Sequence, residues 1–203
     1  MQLQIRQRHA IWRRAAKKRE GIAIKDNHCY EMHLMSEKRV FSDERDKWRL
    51  LGMISGTELT ARGEICAFCV LDDDLALVWR YVPGTERDPD FLPEEILRQA
   101  GIKYMQTYRD RMGLRDPDPV PDVRTECFPM EELWKLCRNV HMLPVAGGYA
   151  RRPSDYWYSS FIKYTMRYNW PFVNTQGVGE QIPMSEFIRR HRGYRRTMRR
   201  EAV

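Results

Sequence analysis

At 203 residues the chain is one domain, or one domain with appended segments, and it can bury a core of its own. No run of about 18 apolar residues is present to span a bilayer, no apolar leader follows the charged start, and five irregularly spaced cysteines do not make a disulfide framework. These exclusions make the cytoplasm the expected compartment and a membrane the excluded partner. The net charge of +7 is uneven: residues 1–25 hold eight Lys or Arg against one Glu, residues 187–203 hold seven against one, and the body between is acidic. Basic arms on an acidic body point to phosphate contacts; solvated helices kept soluble by charge are the plainer alternative.

Residues 5–20 read as a basic helix with Ile5, Trp12 and Ala16 near one face and Gly21 as its stop. Arg13, Arg14, Lys17 and Lys18 on it are candidate nucleic-acid contacts. His28 to Met35 has the β-prone pattern of a strand. Ser42 is placed to cap a helix over 43–55, with Asp43 and Glu44 at its positive end. Glu64 to Leu71 and Asp74 to Tyr81 are apolar strands separated only by Asp72 and Asp73, which predicts a tight hairpin. Pro93 opens a helix that Gly113 ends. A proline-rich turn follows, then a short strand over Val123 to Phe128, then a helix opened by Pro129. The order over 28–128 is β-α-β-β-α-β, the ferredoxin-like α+β arrangement of an antiparallel sheet with helices on one face. A basic N-terminal arm (1–25) precedes this core (26–128), and a helical extension with a basic tail (129–203) follows it.

The stretch from Cys137 to Phe161, CRNVHMLPVAGGYARRPSDYWYSSF, sets an amphipathic helix, a proline-terminated turn, a basic pair and an aromatic cluster closed by two serines in a row. It resembles the C-terminal signature of the REP-associated tyrosine transposases, which belong to the His-hydrophobic-His single-strand transposases and read "R-x-I-H-x-N-P-V-x-A-G-L-V-x-x-P-x-D-Y-x-W-S-S-Y" there. The section MHLMSEKRVFSDERDKWRLLGMI resembles the family's opening strand, turn and first helix, and FVNTQGVGEQIPMSEFIRRHRG its closing segment. The resemblance runs over roughly 28–192 and implies the same ferredoxin-like fold.

It also implies where chemistry should be. In active relatives the second hairpin strand carries two histidines two residues apart, on one face of the strand, which hold a divalent metal that polarises the scissile phosphate. A helix tyrosine attacks and forms a 5′-phosphotyrosine link. Aligned to that pattern, Asp74 and Ala76 stand at the two histidine positions. Alanine cannot bind a metal, and no nearby histidine replaces it. Tyr104, in IKYMQTYRDRMG, matches the nucleophile, but Leu97, Gly101, Tyr104, Tyr108 and Met112 form one helical stripe that a core or sheet-facing role explains without catalysis, and that is the preferred reading. Asp72, Asp73 and Asp74 suit Mg²⁺ chemically, but Asp is also a common turn former. No cofactor is therefore expected, with Mg²⁺ or Mn²⁺ required only if the metal site has been rebuilt around Asp74.

Other candidates are weaker. Cys66 and Cys69 form a CxxC whose odd separation sends them to opposite strand faces, so zinc is not expected. His28 and His33 have odd spacing too. His141 lies in the signature helix and reads as structural or phosphate-facing. Leu143-Pro144 replaces the usual Asn-Pro of the turn. Arg138, Arg151, Arg152, Arg189, Arg190, Arg192, Arg195 and Arg196 suit phosphate contacts, and Tyr156, Trp157 and Tyr158 base stacking; for Trp157, packing the extension onto the sheet is the preferred reading.

The expectation is a transposase-like protein that keeps the fold and basic surface, has lost metal-dependent cleavage, and binds hairpin or single-stranded DNA, or RNA, in a domesticated role. A homodimer is compatible with it. Two alternatives stay open: an active tyrosine transposase or nuclease using Asp74 and Tyr104, and a protein-interaction module without a nucleic-acid ligand.

Overall fold

The computed structural model describes residues 24–82, 91–114 and 121–192. The predicted basic helix at 5–20, with Arg13, Arg14, Lys17 and Lys18, lies outside the described residues, as do Arg195 and Arg196.

Four antiparallel strands form one sheet: β1 (His28–Met35), β2 (Gly63–Val70), β3 (Asp74–Tyr81) and β4 (Asp122–Pro129), in the order β2-β3-β1-β4. Helices α1 (Glu44–Ser55), α2 (Glu58–Arg62) and α3 (Pro93–Met112) complete a β-α-β-β-α-β order in which only the five-residue α2 was not expected. This is the ferredoxin-like α+β fold. Alternation on β1 divides the sheet into two faces: Tyr30, Met32 and Leu34 are fully buried, while Glu31, His33 and Met35 are only partly so. The helices take the Leu34 face. A Cβ on Gly101 of α3 would lie 2.5 Å from Leu34 Cδ1 and 3.1 Å from Pro121, so this glycine allows α3 its close approach to β1.

The cap of α1 differs from expectation. Asp43, not Ser42, occupies the N-cap, its carboxylate accepting from Arg45 N at 2.7 Å. Both residue types cap well, and Asp43 adds negative charge at the positive helix end. The hairpin tip also does more than turn. Asp72 is 6% exposed and receives Lys47 Nζ at 3.0 Å together with the Arg39 guanidinium. Burial pushes its carboxyl up, but these two cations hold it below the usual carboxylate range.

The extension is built onto the sheet. A 3-10 turn (Met130–Glu132) leads into α4 (Leu133–Ala146), which covers β2 and β3 on the face opposite α1 and α3. Pro144 was expected to end this helix at the turn, yet α4 runs two residues past it. Proline's missing N–H interrupts a single bond within the last turn, and the helix closes through Gly147 N donating to Leu143 O at 2.8 Å. Short helices α5 (Phe161–Tyr164), α6 (Gln176–Gln181) and α7 (Met184–Arg192) follow.

The exposed edge of β2 is closed by two pieces of this extension. Val70 N donates to Tyr158 O at 2.8 Å, Ser160 N to Phe68 O at 3.0 Å, and Asn174 N to Ile65 O at 2.9 Å. The Ser160 hydroxyl accepts from Phe68 N at 2.8 Å and lies 2.8 Å from His141 Nε2. His141 Nδ1 is 3.3 Å from His191 Nε2, and His191 Nδ1 donates to Phe187 O at 2.8 Å. That last bond makes Nδ1 the protonated nitrogen of His191. His141 must then donate through Nδ1 and accept the Ser160 proton at Nε2. Both rings are neutral and buried: burial pushes His141 well below its ordinary value and His191 to about 4.

Two predictions follow from this packing. Gly101→Val overpacks the Leu34 contact and lowers stability by about 1–3 kcal/mol, read as a shift in the urea midpoint. The depressed histidines favour folding above the unfolded value of about 6.5 and lose that contribution as pH falls toward 4, at up to about 1.4 kcal/mol per pH unit per histidine. His191→Gln therefore flattens the dependence of the urea midpoint on pH over that window; an unchanged slope would contradict the network.

Candidate nucleic-acid interface

Of the signature's basic residues, Arg151 and Arg152 sit at the rim of a cleft of about 730 Å³ whose apolar wall includes Met142, Val145, Phe161 and Ile188. The cleft exists because α4 ends at Gly147, the chain reverses, and a 3-10 turn (Pro153–Asp155) returns it to the β2 edge. Arg151 is exposed and has no side-chain partner among the described residues. Arg152 is exposed and pairs with Asp155 at 3.1 Å, a surface contact readily exchanged for a phosphate.

The α7 cations are partly engaged. Arg189 and Arg190 share Glu186 at 2.6 and 2.8 Å, and the Arg190 guanidinium lies 4.5 Å from the centre of the Trp134 ring. Arg138 Nε donates to Arg190 O at 3.2 Å, so this residue ties α4 to α7 as well as presenting charge. Arg192 closes α7, and its side chain is not among the described ones. Ile188 and His191 of α7 line the cleft with Arg151 and Arg152, whereas Arg190 lies toward the start of α4, over Trp134.

The two positions aligned with the transposase histidines are buried. Asp74 is 5% exposed and Ala76 fully buried. Contrary to expectation, a histidine does stand beside them. His33 on β1 lies directly across from Ala76 in register, its Nδ1 3.0 Å from Asp74 Oδ2 and its Nε2 3.3 Å from Glu31 Oε1. Burial pushes the His33 imidazole down, but Asp74 and Glu31 together reverse this and raise it to about 10. At neutral pH both ring nitrogens donate to carboxylates, leaving no lone pair for a metal. Among the described residues, no group of three or more His, Cys, Asp or Glu is arranged to hold a metal ion. His33 was missed because one-strand spacing cannot reveal a cross-strand neighbour; only the β1–β3 register brings it there.

Tyr104 is not brought to this cluster. It lies on α3 against the Leu34 face, whereas His33 and Asp74 occupy the other face of the sheet. Its hydroxyl donates to Val40 O at 2.8 Å, its ring packs 5.2 Å from Phe41, and burial with nearby Asp46 pushes its ionisation above the ordinary tyrosine value. His28 is also separate, its Nδ1 2.7 Å from Asp26 O.

The CxxC expectation fails in its geometry. A bulge between Ile65 and Ala67 breaks the two-residue parity that would send Cys66 and Cys69 to opposite faces. Both are buried free thiols. The aromatic expectation changes too. Tyr156 is buried and donates to Val70 O at 2.6 Å, but Trp157, expected to pack on the sheet, is 54% exposed. Alternation along the segment that pairs with β2 turns Tyr156 and Tyr158 inward and Trp157 outward.

No protein-family model matches the sequence, and no curated protein matches it. Among solved structures, the chain is similar to a REP-associated tyrosine transposase bound to a REP hairpin, at 15% identity over 78% of this chain and 89% of that one, with a TM-score of 0.51. A bacterial tRNA(His) guanylyltransferase (Thg1)-like protein in complex with GTP is similar at 10% identity over 71% of this chain and 77% of that one, with a TM-score of 0.39. The likeness to the transposase is one of fold. No described helix is long and apolar enough to cross a membrane.

The raised His33 value gives a test of the Asp74 pairing. Its contribution is fully present below the unfolded value of about 6.5 and is lost as pH rises through about 10. Stability therefore falls by a few kcal/mol over that range, and Asp74→Asn removes most of the fall in urea-unfolding curves taken at successive pH values.

Proposed function

We propose that this protein is a transposase-like nucleic-acid-binding protein that holds hairpin or single-stranded DNA, or RNA, without cutting it. The observation that carries the reading is the cleft rimmed by Arg151 and Arg152 beside the basic α7. An apolar wall with guanidiniums at its mouth suits a nucleobase or sugar inside and phosphates at the rim. The basic tail beyond α7 and the basic N-terminal arm add charge of the same sign. Loss of cleavage is supported by the ion-paired His33 and by Tyr104, which is buried and bonded on the opposite face.

Binding of a labelled imperfect DNA hairpin with a single-stranded flank, measured across a salt series with Mg²⁺ or Mn²⁺, tests this. The expected result is affinity that falls steeply with salt and no covalent protein–DNA adduct. Arg151→Ala with Arg152→Ala lowers the steepness of log K against log salt by about 1–2. Binding that ignores salt contradicts the reading, and an adduct abolished by Tyr104→Phe replaces it with an active enzyme.

A further inference from the structure

Three exposed aromatic side chains that are not part of the cleft lining form one patch: Trp48 on α1, Trp157, and Tyr168 after α5, at 44%, 54% and 41% exposure. The Tyr168 ring centre is 6.2 Å from that of Trp48 and 6.5 Å from that of Trp157, edge to face in both cases. Trp170, 3% exposed, lies beneath at 4.9 Å from both Trp48 and Tyr168 and anchors the group to the core through Phe68. Rings set edge to face leave ring surface turned to solvent, and the buried layer beneath fixes their orientation.

Charges of both signs border the patch, and its exposed arginines are the groups able to meet phosphates. Arg45 lies one helical turn before Trp48, exposed and without a side-chain partner among the described residues. Arg49 follows Trp48, 43% exposed and held loosely by Asp46 at 3.3 Å. Arg167 precedes Tyr168 and donates to Ser154 O at 2.9 Å. Glu44 and Asp43, both close to Tyr158, are carboxylates that border the patch. Among the described residues, Met166 is the exposed aliphatic side chain that adjoins it in sequence, and no exposed Leu or Ile does, so the described patch offers little for an amphipathic helix to grip. Rings interleaved with arginines fit a flexible anionic chain carrying flat bases.

We propose that Trp48, Trp157 and Tyr168 form a stacking platform for unpaired bases of a single-stranded nucleic acid, with Arg45 and Arg167 meeting its phosphates. This rests on the nucleic-acid reading above and adds a second contact region to it. A duplex, whose bases are already stacked, gains nothing from the platform.

The test uses the full chain with an oligothymidylate and an oligouridylate of about 15 nucleotides, with binding followed by tryptophan fluorescence and anisotropy. Wild type is expected to bind at least one of them with quenching of its fluorescence, and the arm that binds more tightly names the source as DNA or RNA. Trp157→Ala with Tyr168→Ala weakens binding by about 10- to 100-fold with the salt slope unchanged, while Trp157→Phe, which keeps a ring, stays within about threefold of wild type. Single-strand binding as tight in the double variant as in wild type overturns the platform, as does equal loss in Trp157→Phe. Salt-dependent wild-type binding to duplex or hairpin stems alone also overturns it and leaves the nucleic-acid reading standing. No binding to any nucleic acid removes both, and points to a protein ligand for the patch.

Discussion

The main-chain pairing between β2 and the returning extension is the constraint on which the rest of the molecule depends. An open β2 edge would expose the N–H groups of Phe68 and Val70 along a largely apolar strand, which is a liability for any sheet protein. Residues 158–160 close it, and Ser160 makes that closure specific by accepting from Phe68 and giving its proton to buried His141. Once that register is set, the rest is geometry. Tyr156 and Tyr158 turn inward, Trp157 outward, Arg151 and Arg152 rim the cleft, and His191 pins α7 to α4. The surface that carries the proposed function is thus held by buried polar bonds, each with a partner, rather than by loop packing alone.

The other face of the sheet shows a charge problem solved by the protein's own side chains. A nearly buried Asp74 would be costly as an isolated carboxylate. The His33 imidazolium supplies the countercharge, with Glu31 on its far side. The same logic holds at the hairpin tip, where Lys47 and Arg39 neutralise Asp72. A divalent ion arriving at either carboxylate meets a cation already seated.

Much of the architecture was legible because strong local signals agreed. The strands His28–Met35 and Asp74–Tyr81 were bounded correctly, since alternation and the Asp-rich turn coincide. Pro93 and the left-handed Gly113 (φ 64°) punctuate α3. Illegible features were those decided by tertiary contacts. Pro144 continues a helix that local rules would end, because its ring sits in the final turn. The five-residue α2 has little periodicity of its own; its Leu59 is fixed by burial and its carbonyl by the Trp79 indole N–H at 2.8 Å. His33 joins Asp74 only through strand register, and a single bulged residue reverses the parity argument for the cysteine pair. Trp157 was misread because an aromatic next to two buried tyrosines resembles core until the strand direction of the segment is known.

The five thiols are spread along the chain but not equally accessible. Cys29, Cys66, Cys69 and Cys137 are buried, and only Cys127 is partly open. Burial, with little compensating positive charge, pushes Cys29 and Cys66 up to about 12 and raises Cys69 and Cys137 as well, so none of the four is a thiolate at neutral pH. A thiol-alkylating reagent therefore meets one accessible thiol in the folded protein, Cys127, and the other four only when the core opens. Thiol chemistry in the folded state is confined to the β4 border, and the interior thiols act as a chemical clock for opening of the core.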